Sequence, residues 1–172
     1  MTHAARKTLV ALAAGVAMAL CAGAVSAVAD PAATHAMQPT AQGVIRLQSA
    51  YGFDETVTRI KADIATKGIQ FFTEIDQSKL GDGAKIALKP SKLLLFGNPP
   101  LGVQFLTSNP YAGLDWPVRI LVHEDADGVI WVAYTDFNYM AARYDIRDRA
   151  PQVKMASEVA GSIAGSVAAK GD

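Results

Sequence analysis

From Val44 onward the spacing of hydrophobic positions changes several times, and each change marks an element. Val44-Ile45-Arg46-Leu47 alternates as a short strand. Beyond Gly52, the residues Val57, Ile60 and Ile64 recur at helical spacing until Gly68 stops the run. Asp54 and Glu55 in the first turn suit the positive end of the helix dipole, and Glu55 three residues after Gly52 is half of a capping box. Ile69 to Ile75 reads as the next strand, with Ile69, Phe71, Thr73 and Ile75 expected on one face. Asp76 to Lys89 is mixed and glycine-containing, with room for one loose helical turn before Pro90-Ser91. Lys92 to Phe96 is a strand apolar on both faces, which predicts thorough burial. Gly97-Asn98-Pro99-Pro100 opens a short helix that ends before Asn109-Pro110, and a loop runs on through Trp116-Pro117. The clearest hairpin joins Val118–Glu124 to Val129–Thr135 through Asp125-Ala126-Asp127-Gly128. A short helix around Asn138 to Arg143 follows. After Pro151 a last helix carries Ala156, Val159, Ala160, Ile163 and Val167 on one stripe. The order β-α-β-β-α-β-β-α-α predicts a two-layer α+β domain over residues 43–172, an antiparallel or mixed sheet with helices on one face.

The first 29 residues carry a different pattern. Arg6 and Lys7 precede an apolar run from Leu9 to Leu20, and Ala27-Val28-Ala29 offers small residues for cleavage. This is the layout of an export signal cleaved after Ala29, so a periplasmic or secreted location is expected. An uncleaved membrane anchor is the alternative, but the alanine-rich run is weakly hydrophobic. Leu20 before Cys21 stands where lipidation wants a small residue. Residues 30–42, rich in Ala, Thr and Pro, read as a flexible leader. Cleavage removes Cys21, the only cysteine, and with it any disulfide or thiolate chemistry. It also removes two basic groups from a chain with 16 basic and 16 acidic ones, leaving a net charge of −2. A nucleic-acid binder needs a basic stripe, so that class is excluded. The 51% hydrophobic content excludes a disordered chain. Lys154 and Glu158 keep the last helix from spanning a membrane, so none is expected after cleavage.

Several short motifs fall in a fixed order: Glu55-Thr56, Ile75-Asp76, Leu88-Lys89-Pro90, Phe96-Gly97-Asn98-Pro99, Leu114 to Pro117, Gly128, Tyr134 and Ala142-Arg143-Tyr144. In this the chain resembles the family called domain of unknown function 302, from about Val44 to the C-terminus. It departs from that pattern in Trp116, where the family usually has Leu, and in Pro100 directly after Pro99. The resemblance implies a small α+β domain, often dimeric, and implies no reaction.

The candidate ligand-pocket residues are Asp76, Asn98, Asp115, Tyr134 and Arg143. Asn98 has the geometry of a helix N-cap, where its side chain would accept the Leu101 N–H. Its amide is also suited to a ligand. Gly97 is expected to ease the exit from the strand. Asp76 and Asp115 border strands, where a carboxylate caps backbone N–H groups; brought together they would form an acid/base pair. Tyr134, Tyr139, Arg143 and Tyr144 cluster after the last strand, at the core edge or along a cleft. Asp125 to Gly128 superficially resembles a calcium loop, yet its frame would start at His123 and close at Tyr134, which is no bidentate ligand. His123 is the one histidine in the folded region, too few for a metal site, and no cofactor is expected. Gly161 to Gly165 suggests close packing of the last helix. Both faces of Leu93–Phe96 and Val129–Tyr134 are apolar, so a sheet layered by helices on one face leaves the other for a partner copy, and a homodimer is expected. The leading reading is an exported, non-catalytic domain binding a small ligand or protein partner. A small enzyme using carboxylates near Asn98 and Asp115 is the alternative, and a purely structural envelope role is a third.

Overall fold

The computed structural model describes residues 39–168. The expected export signal lies outside them, as does most of the expected leader. Its last residues, Thr40 to Gly43, already form a turn in which Thr40 Oγ1 accepts the Val44 N–H at 3.2 Å. Strands β1 (Val44–Gln48), β2 (Gln70–Asp76), β3 (Ser91–Gly97), β4 (Val118–Glu124) and β5 (Ile130–Thr135) form one five-stranded sheet in the order β1-β5-β4-β3-β2. Every pairing is antiparallel, which removes the mixed-sheet option. The helices are α1 (Phe53–Thr66), α2 (Gln77–Gly83), α3 (Pro99–Ser108), α4 (Phe137–Arg143) and α5 (Ala150–Gly165). A 3-10 turn spans Pro110–Leu114. The fold is the expected α+β class, with α2 and this turn as additions to the expected order.

Alternation along the strands sends Ile45, Leu47, Leu94, Phe96, Ile120, Val122, Val132 and Tyr134 to one face. That face is sealed by Val57, Ile60 and Ile64 of α1, Phe105 of α3, Met140 of α4, and Ala156, Ala160 and Ile163 of α5. Each large side chain so buried contributes about 1.5–3 kcal/mol relative to exposure. The opposite face behaves differently. Leu93, Leu95, Leu121 and Ala133 are only half-buried, and Ile75 is exposed. Through the register Ile75–Leu93–Leu121–Ala133 they form one apolar row across four strands. The double-sided burial expected of β3 therefore holds on one side alone. Trp131, on the same outer face, lies 4.7 Å beneath the Arg46 guanidinium and donates to Asp125 at 2.7 Å.

A second departure is in β2. A register shift between Phe71 and Thr73 inserts one extra residue, so Phe71 and Glu74 turn inward while Thr73 and Ile75 turn outward. Strict alternation cannot anticipate a bulge, because the extra residue inverts every side chain after it.

The helix ends follow local chemistry. Asp76 caps α2 by accepting the Lys79 N–H at 3.1 Å, and Asp136 caps α4 through the Asn138 N–H at 3.1 Å. Glu55 closes no capping box and instead pairs with Arg59. In the hairpin Asp125 accepts the N–H groups of Asp127 and Val129, and Gly128 takes φ +82°, where a Cβ is disfavoured. The Trp131 indole, then these two N–H groups, hold the Asp125 carboxyl below its ordinary pKa. A Cβ on Gly165 would meet nothing, so that glycine serves no close approach, while Ala160 and Ala164 are buried on the packed face of α5.

Thr56 is fully buried in α1 and shares a 2.6 Å hydrogen bond with the Ser49 hydroxyl. Ser49 in turn accepts the Tyr51 N–H and reaches the Val167 carbonyl. The pair thereby ties the turn after β1 to the end of the chain's last helix. Thr56→Val keeps the shape and removes the hydroxyl, and it is expected to cost about 1–2 kcal/mol in a denaturant melt. A variant as stable as the parent would show that this link is idle.

Candidate functional site

The strand β3 ends at Gly97, and α3 begins two residues later. The Asn98 carbonyl, not its side chain, receives the first helix donors, from Leu101 at 3.1 Å and Gly102 at 2.8 Å. Asn98 sits at the cap position with an exposed side chain that makes no cap bond, which overturns the expected side-chain cap. The reason is local. Pro99 and Pro100 carry no N–H, and the first available donor is already claimed by the backbone.

Across this junction lies Trp116. A Cβ placed on Gly102 would fall 1.8 Å from the Trp116 Nε1, and one on Gly97 would fall 3.3 Å from it. The two glycines thus form the seat of the indole. Gly97 serves close approach, and its backbone is not in the left-handed region. Phe72 meets the ring edge-on at 6.1 Å. The indole also walls a crevice between the sheet, α3 and α5, lined by Ile69, Phe96, Leu101, Phe105, Val159 and Ala160 among others. The crevice holds a cavity of about 30 Å³ and opens to solvent. Asn98 is the polar side chain on its rim.

Next to it stands a charged cluster. The Asp115 carboxylate, 6% exposed, accepts from the Tyr144 hydroxyl at 2.7 Å, from Arg143 at 3.3 Å and from Arg119. It ties the approach to β4 to the end of α4. These partners are side chains, so the backbone-capping role expected of Asp115 is replaced by an ion-pair hub. The hydrogen bond to Asp115 is the main cause holding the Tyr144 phenol above its ordinary pKa, with burial second.

Of the five candidate residues, Asp115 and Arg143 touch. Asn98 lies at the same end of the sheet, over the crevice. Asp76 does not join them. It pairs with Lys92 at the start of β3, whereas Val118, just after Asp115, pairs with Phe96 near its end. The four intervening steps separate the two carboxylates by about 13 Å along the strand. Tyr134 belongs to the core, cross-strand from Ile45 and Ile120, and burial followed by the Asp136 charge raises its pKa. Tyr139 lies instead against Gly43. His123 is half-buried on the outer face between Ser91 and Trp131. Among the described residues no His, Cys, Asp or Glu group is placed to hold a metal ion. Sequence reasoning missed Phe72, Gly102 and Arg119. The one signal for them was Trp116 itself, whose bulk requires a glycine opposite.

The seat makes a specific prediction. Gly102→Ala drives a methyl into the indole and is expected to cost about 1–3 kcal/mol. In a Trp116→Leu background the same change should cost far less, because the ring is gone; equal costs in both backgrounds would refute the seat. A second prediction concerns Tyr144. Its bond to Asp115 is complete below the ordinary tyrosine pKa of about 10 and is lost as pH rises through the raised folded value. Ultraviolet titration is expected to show two phenols ionising late, Tyr134 and Tyr144, and Asp115→Asn should bring the Tyr144 midpoint down. An unchanged midpoint would remove Asp115 as the cause.

The comparisons agree with the fold. Residues 45–166 match the family model described as domain of unknown function DUF302. A solved protein, the uncharacterized conserved protein DUF302 from Bacillus stearothermophilus, superposes with a TM-score of 0.66 at 12% identity, covering 73% of this chain and 98% of its own. That protein is thus almost wholly this domain, which stands as a chain by itself. Fluoride-specific ion channel FluC 1 of Brucella suis biovar 1 (strain 1330) is 31% identical over 104 residues, 60% of this chain and 41% of its own. Fluoride-specific ion channel FluC 1 of Brucella abortus biovar 1 (strain 9-941) matches at 31% over 60% of this chain and 38% of its own. The chain therefore spans about two fifths of the length of these relatives. With the family model matched across most of its length and the same fold in the Bacillus protein, the chain belongs to the DUF302 family.

Proposed function

We propose that this is an exported, non-catalytic domain that binds a small apolar ligand in the Trp116 crevice and pairs with a second copy through the outer face of its sheet. The observation that carries the reading is the crevice, an apolar slot whose wall is a tryptophan resting on two glycines. A ligand that shifts the ring has no backbone to move first, and small apolar sites of this kind are lined by carbon with few polar groups. The carboxylate-enzyme alternative loses its pair, since Asp76 caps α2 at the far end of the sheet and the Asp115 oxygens are held by three donors. The names of the Brucella relatives belong to proteins of more than twice the matched length. A binding or assembly module accompanying an ion-conducting protein fits those names better than a separate chemistry does.

The dimer rests on the apolar row Ile75–Leu93–Leu121–Ala133, which no helix among the described residues covers. Arg46, Ser91, Arg119 and His123 border that row on the same face, so the contact on offer is an apolar stripe with a polar rim.

Decanoate titrated into a Trp131→Phe protein is expected to shift the Trp116 emission and saturate at one ligand per chain; no shift up to millimolar decanoate would refute the crevice. Sedimentation at micromolar concentration is expected to give twice the chain mass, and Leu121→Glu to give the single mass. A single mass for the parent would end the dimer reading.

A further inference from the structure

The Trp116 crevice is walled almost entirely by carbon, so its few polar groups decide what it selects. Among the side chains that line it, only those of Asn98 and Trp116 carry nitrogen or oxygen. The two meet at one junction. The indole Nε1 rests against Gly97 and Gly102, where a Cβ would fall 3.3 Å and 1.8 Å from it. Those glycines bracket Asn98, which follows Gly97 directly and accepts the Gly102 N–H on its carbonyl at 2.8 Å.

Neither polar group is used within the protein. The Asn98 side chain is exposed and makes no cap bond. The Trp116 indole has no acceptor among the described residues, whereas the Trp131 indole donates to Asp125 at 2.7 Å. No buried side-chain nitrogen or oxygen among the described residues lacks a partner, so the free Trp116 N–H is one that solvent reaches. An indole nitrogen is a donor only, and the Asn98 amide supplies a second donor. An apolar slot thus carries two unused donors at its mouth, against one unused acceptor, the Asn98 side-chain oxygen.

The neighbouring charges do not call for an ion. A slot lined by Asp115, Arg119 and Thr135 meets the crevice at Val118 and Phe137. Arg119 and Arg143 are both turned to Asp115, and the buried Asp136 lies between Thr135 and Phe137. Two acids against two arginines leave no net charge there, and no ionic side chain lines the crevice itself. An anion drawn into it would lose hydration with no cation to replace it.

We infer that the crevice takes an uncharged carbonyl compound. Its apolar chain lies along Leu101, Phe105 and Val159, and its carbonyl oxygen accepts from the Trp116 Nε1–H and the Asn98 amide. An ammonium head finds only the Asn98 oxygen. This inference rests on the crevice reading above and adds the chemical class of the ligand.

The test titrates the chain from Asp30 onward with 2-decanone, decanoate and decylammonium. The chain has two tryptophans, so the indole N–H resonance that survives in Trp131→Phe belongs to Trp116. 2-Decanone is expected to bind about tenfold tighter than either ion and to move that proton downfield. Asn98→Asp removes the amide donor and adds an acceptor; with no cap bond to lose, it is expected to melt at least as high as the parent. Its affinity for 2-decanone should fall about tenfold while its affinity for decylammonium rises. Either ion binding as tightly as 2-decanone, or an indole proton that stays in place on binding, would overturn the carbonyl assignment and leave the crevice standing. So would an Asn98→Asp protein with the parent's affinities. Binding of none of the three up to millimolar would instead remove the crevice reading, and this inference with it.

Discussion

One constraint shapes the whole domain: among the described residues a single antiparallel sheet buries one face under helices α1, α3, α4 and α5 and leaves the other without a layer. The burial is what makes the sheet stable, since a sheet needs a packed face and the Ile45–Tyr134–Ile120–Leu94 row supplies it across four strands. Its asymmetry also determines what remains outside. Helices crowded on one side must pack on one another at the sheet ends, and the crevice between α3 and α5 is the imperfect join. The uncovered side keeps an apolar row because the alternation of β3 to β5 places carbon on both faces.

Much of this was legible in the sequence. Alternation placed β1, β3, β4 and β5, the hairpin turn was readable from Asp125 and Gly128, and helical spacing located α1 and α5. The errors share a cause. The β2 bulge, the backbone-made cap at Asn98 and the tight α2 all depend on geometry that one residue or one peptide group decides. Spacing arguments average over several residues and cannot register such events. The candidate site was legible in its types and not in its grouping. Asp76 and Asp115 look equivalent in sequence because both border strands. Only the strand register shows that they stand at opposite ends of β3.

The two features at the crevice end differ in what they are able to do. The Asp115 hub is saturated, with a nearly sealed carboxylate and three donors pointed at it. Such a group fixes geometry, and removing it would leave two guanidinium groups facing each other. The Trp116 seat has the opposite character. It is held by contact with two glycines and the edge of Phe72, and beside it is empty space. Displacement of the ring costs packing and no buried charge, so the Trp116 wall is the part of this end that a ligand is able to move. The hub supplies the rigid neighbour against which that movement is defined.

The remaining surfaces constrain one another through symmetry. A pair formed on the outer sheet face would be isologous, with its twofold axis through the Ile75–Leu93–Leu121–Ala133 row. The α2 tip lies at the Asp76 end of β2, and the crevice lies at the Gly97 end of β3, so the two are at opposite ends of the strands. An axis running along the strands puts both tips at one end of the dimer and both crevices at the other. An axis across the strands puts a tip and a crevice at each end. The choice of axis therefore decides whether the two Trp116 crevices of such a pair would share one end or stand at opposite ends.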